Sequence, residues 1–192
     1  MNVKEPLEWR SEVWWRNRPV TERLGWLHLP PRIEREMDDA EMGSIDYVED
    51  WKHGDNLLIH GPSGRGKSLL AAQVLHSLVD YLPVSGRWVE ADTYIQMLKD
   101  SFDNDGQLGE EYSSPFTIKN IKGVFDVVVI DGLGDERKTD FAAHEMGSLI
   151  RGRYDRMKST IITTRLNIAD IANRYGERLA GPLASFSTEM LR

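Results

Sequence analysis

Eight residues, Gly61-Pro62-Ser63-Gly64-Arg65-Gly66-Lys67-Ser68, limit the fold of this chain more than any other stretch. They match the pattern Gly, four residues, Gly, Lys and Ser or Thr. Before them stands Asn56-Leu57-Leu58-Ile59-His60, an apolar run too short for a helix, and after them a helical pattern from Lys67 to Leu82 that Pro83 closes. A strand that turns through glycines into a helix directs successive backbone N–H groups at an anion, and the helix N-terminus adds its partial positive charge. In such a loop Lys67 reaches the β- and γ-phosphates of a nucleotide and the Ser68 hydroxyl enters the shell of a Mg²⁺ ion. The expected binding set is Gly61, Pro62, Ser63, Gly64, Arg65, Gly66, Lys67, Ser68 and the next residue, Leu69.

The rest of the chain alternates helical and strand-like stretches. Ile45 to Trp51 has helical spacing and stops at Gly54; Gly86 to Glu90 reads as a strand, and Thr93 to Phe102 as a helix with Asp92 as its N-cap. Phe125 to Ile130 is a third strand, Asp140 to Lys158 a long helix and Thr160 to Thr164 a fourth strand, after which Asn167 caps a helix that Gly176 stops near Tyr175. Apolar strands alternating with helices predict an α/β fold with a parallel sheet covered on both faces and ligands at the strands' carboxyl ends. Asp131, which closes Val127-Val128-Val129-Ile130, is placed to complete the metal site with Ser68. Asp103 to Pro115 is acidic and bears Gly and Ser, which reads as a mobile loop.

Composition narrows the partners. Lys and Arg total 24 against 31 Asp and Glu, a formal charge of −7 that argues against broad electrostatic coating of nucleic acid. With no cysteine there is no disulfide framework or zinc ribbon, and His28, His53, His60, His76 and His144 show no metal-ligand spacing. No window offers the roughly 20 apolar residues of a membrane helix, and the start MNVKEPLEWR lacks a signal-peptide core, so a cytoplasmic protein with no membrane association is expected.

Charge and aromatics are uneven along the chain. Trp9, Trp14, Trp15 and Trp26 fall among Arg10, Arg16, Arg18 and Arg23, and the segment ends at Pro30-Pro31. Residues 1–31 therefore read as an appendage and 32–192 as the core. The appendage suits docking on a partner, stacking of single-stranded bases on Trp14 or Trp15, or packing on its own domain. Arg151, Arg153, Arg156 and Lys158 read as a solvated basic stripe, with Arg137-Lys138 the other basic cluster of the core.

The stretches NLLIHGPSGRGKSLLAAQVL, VVVIDGLGDER and STIITTRLNIADIANRYGERLAGPL resemble the AAA+ ATPases of the helicase-loader type, DnaC and DnaI, and the related transposition ATPase IstB. The similarity runs from about Leu29 onward, and Tyr175-Gly176-Glu177-Arg178 is its most family-specific piece. The resemblance implies a P-loop NTPase of AAA+ type with a five-stranded parallel sheet in the order 5-1-4-3-2. It also implies ATP and Mg²⁺ held between subunits of a homo-oligomer, a replicative hexameric helicase as partner and contact with single-stranded DNA.

Three departures bear on hydrolysis. The family's second acid after the magnesium-site Asp is Gly132 here, which leaves Glu90 as the first substitute, ahead of Asp135 and Glu136. The polar sensor at the tip of the fourth strand is Arg165, so that Thr164 takes the hydrogen-bonding role or Arg165 meets the phosphate itself. The family's arginine-finger position is Pro182, which leaves Arg178 or Arg174 to act in trans. The lid is expected to be short or absent.

The leading expectation is an ATP-binding helicase loader of phage or mobile-element type, an ATPase whose hydrolysis is slow or partner-stimulated. An IstB-like transposition ATPase and a non-hydrolysing binding module are the alternatives. A small-molecule kinase is disfavoured, because no Arg-bearing lid insertion lies between the last strands.

Overall fold

Strands β1 (Leu57–His60), β2 (Gly86–Glu90), β3 (Val127–Leu133), β4 (Ser159–Thr164) and β5 (Ser187–Met190) pair in parallel as one sheet, in the order β2-β3-β4-β1-β5. This computed structural model describes residues 18–38, 46–103 and 118–191. Around the sheet lie α1 (Val20–Gly25), α2 (Pro31–Asp38), α3 (Asp46–Glu49), α4 (Lys67–Tyr81), α5 (Ala91–Asp103), α6 (Ile118–Gly123), α7 (Asp140–Asp155), α8 (Ile168–Tyr175) and α9 (Glu177–Leu183). The order is the one the resemblance implied, and no described helix is long and apolar enough to cross a membrane.

Because side chains alternate along a strand, each strand supplies two cores. Leu57, Ile59, Val127, Val129 and Ile161 meet Ala71, Leu75 and Leu78 of α4 on one face. Leu58, Val128, Ile130 and Ile162 meet Tyr94, Met146, Leu149 and Ile171 on the other. The strands are therefore apolar at nearly every position, as expected of a parallel sheet covered on both sides.

Several element ends differ from the sequence reading. Helix α5 starts at Ala91, which puts Asp92 inside the first turn rather than at the cap. Strand β3 begins at Val127 and carries on through Asp131 and Gly132 to Leu133, with a register shift between Ile130 and Leu133. Asn167 does cap α8, accepting from the Asp170 N–H at 2.9 Å, and Gly176 ends it.

Helix α7 ends at Asp155, so the basic stripe to Lys158 is corrected. Arg153 is fully buried and donates to the carbonyls of Ile121 (2.7 Å), Phe125 (3.1 Å) and Ser159 (2.6 Å) and to the Thr160 hydroxyl (3.2 Å). Its guanidinium gathers the carbonyls where β3 and β4 enter the sheet, and burial lowers its pKa to about 9 against the upward pull of Asp126. Lys158, also buried, donates to Asp126 Oδ1 at 2.8 Å, while Arg151 alone forms an exposed pair with Asp155.

Burial raises the Asp126 pKa, but hydrogen bonds from Lys158 and from the Ser85 N–H and hydroxyl outweigh it, leaving the carboxyl below its usual 3.8. A depressed folded pKa gives stability that is complete above the unfolded value and lost as pH falls through the folded one. Asp126→Asn is expected to cost about 3 kcal/mol at neutral pH by removing the charge of a buried ion pair with Lys158. In urea titrations the wild type should then lose stability more steeply than the variant only below about pH 4.

Residues 18–30 pack on their own domain, one of the alternatives for the appendage. Leu27 is 1% exposed and its carbonyl accepts from the Trp88 N–H at 2.9 Å, extending the outer edge of β2. Arg23 donates to the Leu82 carbonyl at 2.6 Å, which ties α1 to the end of α4. Trp9, Trp14, Trp15, Arg10 and Arg16, and the loop expected up to Pro115, lie outside the described residues.

Candidate nucleotide site

The glycine loop leaves β1 at the carboxyl end of the sheet and enters α4. Its first residue admits no side chain: Gly61 has φ +144°, and an added Cβ would sit 2.1 Å from the Leu191 carbonyl oxygen. The Gly61 N–H donates to the Thr164 carbonyl at 3.3 Å, and the Leu191 N–H to the His60 carbonyl at 2.9 Å, so β4 and β5 both hold the loop's entry. No side chain caps α4 at Gly66, which leaves the first N–H groups of a 15-residue helix facing the loop.

Lys67 folds back over the loop and donates to the Pro62 carbonyl at 2.6 Å. Burial lowers its pKa; Asp135 raises it, Arg165 lowers it and Asp131 raises it, which marks these three charges as its neighbours.

Next to it, Ser68 Oγ donates to Asp131 Oδ1 at 2.8 Å and Thr163 Oγ1 donates to the same oxygen at 2.6 Å. The Gly132 N–H in turn donates to Thr163 Oγ1 at 2.9 Å. A hydroxyl and a carboxylate in direct contact form an all-oxygen donor pair that fits Mg²⁺, which keeps several waters and binds through one or two protein oxygens plus phosphates. Among the described residues there is no cluster of three or more His, Cys, Asp or Glu.

The hydroxyl that the sequence assigned to this face through Thr164 belongs instead to Thr163. Thr164 is buried, donates to the Leu133 carbonyl at 2.6 Å and accepts from the Leu166 N–H at 3.0 Å. Strand alternation gives the reason, since Thr163 shares parity with Ile161 on the α4 face.

Among the substitute acids, Glu90 lies in register with Asp131 at the end of β2 and is exposed, accepting from the Thr93 hydroxyl at 3.2 Å. Glu136 is buried, accepting from the Gly134 N–H (2.9 Å), Arg174 (3.0 Å) and the Tyr175 hydroxyl. That contact, after burial, drives the Tyr175 pKa upward. Glu136 and Arg174 are thus committed to one another, and neither is disposed as a water base or a trans finger. Asp135 pairs with Arg165. Pro182 lies inside α9, whereas the Arg178 side chain is outside the described residues.

Gly132 has φ +73°, and a Cβ there would meet Asp135 Oδ2 at 2.9 Å. A left-handed conformation costs a non-glycine residue about 1–2 kcal/mol. Gly132→Glu is therefore expected to lower the melting temperature by several degrees and to leave single-turnover ATP cleavage no faster than wild type.

A family model for IstB-like ATP-binding proteins matches residues 33–181. The chain belongs to that family. Its five-stranded parallel sheet and phosphate loop are the fold expected of an ATP-binding member.

Among solved structures, the DnaC helicase loader is 24% identical over 85% of this chain and 100% of its own, with a TM-score of 0.70. DnaI is 19% identical over 92% and 95%, with a TM-score of 0.63. The replication initiator DnaA bound to AMPPCP and single-stranded DNA is 13% identical over 88% of this chain and 49% of its own, with a TM-score of 0.60. No curated protein matches. At these identities the structural likeness carries the fold, and the family match carries ATP binding.

Proposed function

We propose that this chain is a helicase loader in DNA replication, of phage or mobile-element type, and that ATP with Mg²⁺ at Gly61–Ser68 acts as its switch. The observation that carries the nucleotide half is the Ser68–Asp131–Thr163 chain of hydrogen bonds beneath a complete phosphate loop. The replication half rests on the fold shared with the DnaC helicase loader and with DnaI.

In this reading the loop N–H groups and Lys67 hold the β- and γ-phosphates, and Ser68 and Asp131 hold the ion. Bound Mg²⁺ neutralises charge on the phosphate oxygens. Thr163 fixes the orientation of the Asp131 carboxylate. Turnover is slow, because Gly132 replaces the second acid while Glu136 and Arg174 are held in their own cluster. Glu90 is the acid left free beside Asp131, and Arg178 is the arginine left to act across a subunit boundary in a homo-oligomer. The same reading includes a contact with single-stranded DNA, a ligand present in the DnaA complex of like fold, and a cytoplasmic setting.

The test is size-exclusion chromatography of the full chain with the hexameric helicase of the same replicon, with Mg²⁺-ATP, with ADP and without nucleotide. A complex that depends on ATP is expected; no complex in any of the three states overturns the loader reading. Single-turnover hydrolysis with and without helicase and single-stranded DNA then tells a stimulated ATPase from a binding module.

The family match favours one second reading, an IstB-like transposition ATPase. That protein would form filaments on duplex DNA with nucleotide, visible by electron microscopy in the absence of any helicase.

A further inference from the structure

We propose that the outer edge of β2 is a docking site for an extended segment of a partner protein, which joins the five-stranded sheet as a further strand and sets an acidic side chain beside Arg87 and His28. The edge stands apart from the phosphate loop, and strand addition there does not depend on ATP at Gly61–Ser68.

The hydrogen-bond parity of β2 leaves this edge open. The Val127 N–H donates to the Ser85 carbonyl at 2.9 Å, so Ser85, Arg87 and Val89 turn their backbone groups toward β3, while Gly86, Trp88 and Glu90 turn theirs outward. Leu27 takes one of these outward groups, the Trp88 N–H. The pairing goes no further: His28 has φ +56°, a conformation that L side chains rarely adopt, and the chain then runs into Pro30 and Pro31, which have no N–H to give. Among the described residues nothing takes up the Trp88 carbonyl or the Glu90 N–H. An acceptor and a donor two residues apart on one edge are the groups with which an added strand pairs.

Beside the edge lies room for side chains. A groove of about 330 Å³ runs between residues 28–31, α5 and α6, with Leu29, Pro30, Met97 and Ile121 as its apolar wall. Val89 packs in one cluster with Met97 and Ile121, and Arg87 shares its parity, so the groove lies on the face of the sheet that carries the Arg87 side chain. Side chains of an added strand alternate, so every second one enters this groove.

Charge selects the occupant. Arg87 and His28 line the same groove, and Arg87 Nη1 donates to the Trp26 carbonyl at 3.4 Å. Burial pulls the Arg87 pKa down to about 10, and burial followed by the Arg87 charge lowers that of His28. A guanidinium held partly away from water next to an imidazole gains from a carboxylate brought beside both. A protein strand carries such a carboxylate together with the backbone groups that the edge pairs with, whereas a nucleic acid carries an anion without them.

The experiment is selection of a phage-displayed library of random octapeptides on the immobilised full chain, followed by fluorescence anisotropy and amide hydrogen exchange with the enriched peptide made synthetically. Enriched sequences should alternate apolar and polar residues and carry an Asp or Glu. Replacing that acid by its amide, or Arg87→Gln in the chain, should each weaken binding about 10-fold, and both together little more than one alone. N-methylation at alternate peptide amides should abolish binding in one register and leave it within about 2-fold in the other, and the Glu90 N–H should exchange about 10-fold more slowly in the complex. No enrichment over the bare support, indifference to N-methylation in both registers, unchanged exchange at Glu90, or equal binding of the amide peptide overturns the proposal. A labelled oligodeoxythymidine that displaces the peptide and is itself weakened by Arg87→Gln reassigns the groove to nucleic acid and also overturns it. The peptide-side changes leave the chain untouched, so they decide the outcome even where Arg87→Gln lowers the melting temperature.

Discussion

Lys67→Ala is expected to weaken binding of both ATP and ADP by about 100-fold, read by calorimetry or by displacement of a fluorescent nucleotide. Lys67 as a whole is 9% exposed and its ammonium is already bent over the loop onto the Pro62 carbonyl, so little ordering remains to be done when phosphates arrive. A charge-assisted hydrogen bond to an anion in such a setting contributes about 1.5–3 kcal/mol, or about 10- to 100-fold, and the upper end applies because the stem is buried. Stability should change little, since Pro62 is exposed and water replaces the lost donor. A loss of less than about 5-fold would show that the loop binds through its backbone N–H groups alone.

Arg153→Leu is expected to have the largest effect on folding, a loss of about 3–5 kcal/mol in urea unfolding. The substitution removes the guanidinium donors to the carbonyls of Ile121, Phe125 and Ser159 while keeping the pocket filled, so the cost comes from lost hydrogen bonds in a buried setting rather than from a cavity. Arg153→Lys should recover only a small part, because one ammonium cannot span acceptors that a planar fork meets from two sides. A change below about 1 kcal/mol would mean that water enters and satisfies these carbonyls. Nucleotide affinity at a temperature where the variant is still folded should match wild type, which separates this arginine from the site residues.

The parts of the fold that follow from short-range chemistry were legible. The glycine loop, β1, α4 and the Asp131 strand end could be read because each has an apolar period or a glycine pattern that only one local structure satisfies. Strand β5 carried no such signal: Ser187, Thr188 and Met190 are exposed, and the segment is a strand only because β1 offers it a free edge. The same limit explains Thr163. Both threonines end an apolar strand, and only counting parity back to Ile161 tells which one shares the face of α4.

Arg153 and Lys158 were illegible for a different reason. Spacing on a helix says nothing of what lies opposite, and here the opposite face holds carbonyls of two strand entries that accept from Arg153 and the Asp126 carboxylate that accepts from Lys158. Arg174 likewise turned out to be half of a buried contact with Glu136 rather than an outward finger. Charged residues of one sign in a row describe the surface only when the strands beneath them have no acceptors left to satisfy.

The seating of Leu191 against Gly61 bears on how this protein is handled at the bench. With the Leu191 carbonyl filling the space where any side chain of residue 61 would stand, a bulky label carried at position 191 lies close to the phosphate loop. Such a label would report on, and distort, the very event it was added to follow. Used deliberately, the same closeness makes a small environment-sensitive dye at position 191 an optical gauge of whether the loop is filled.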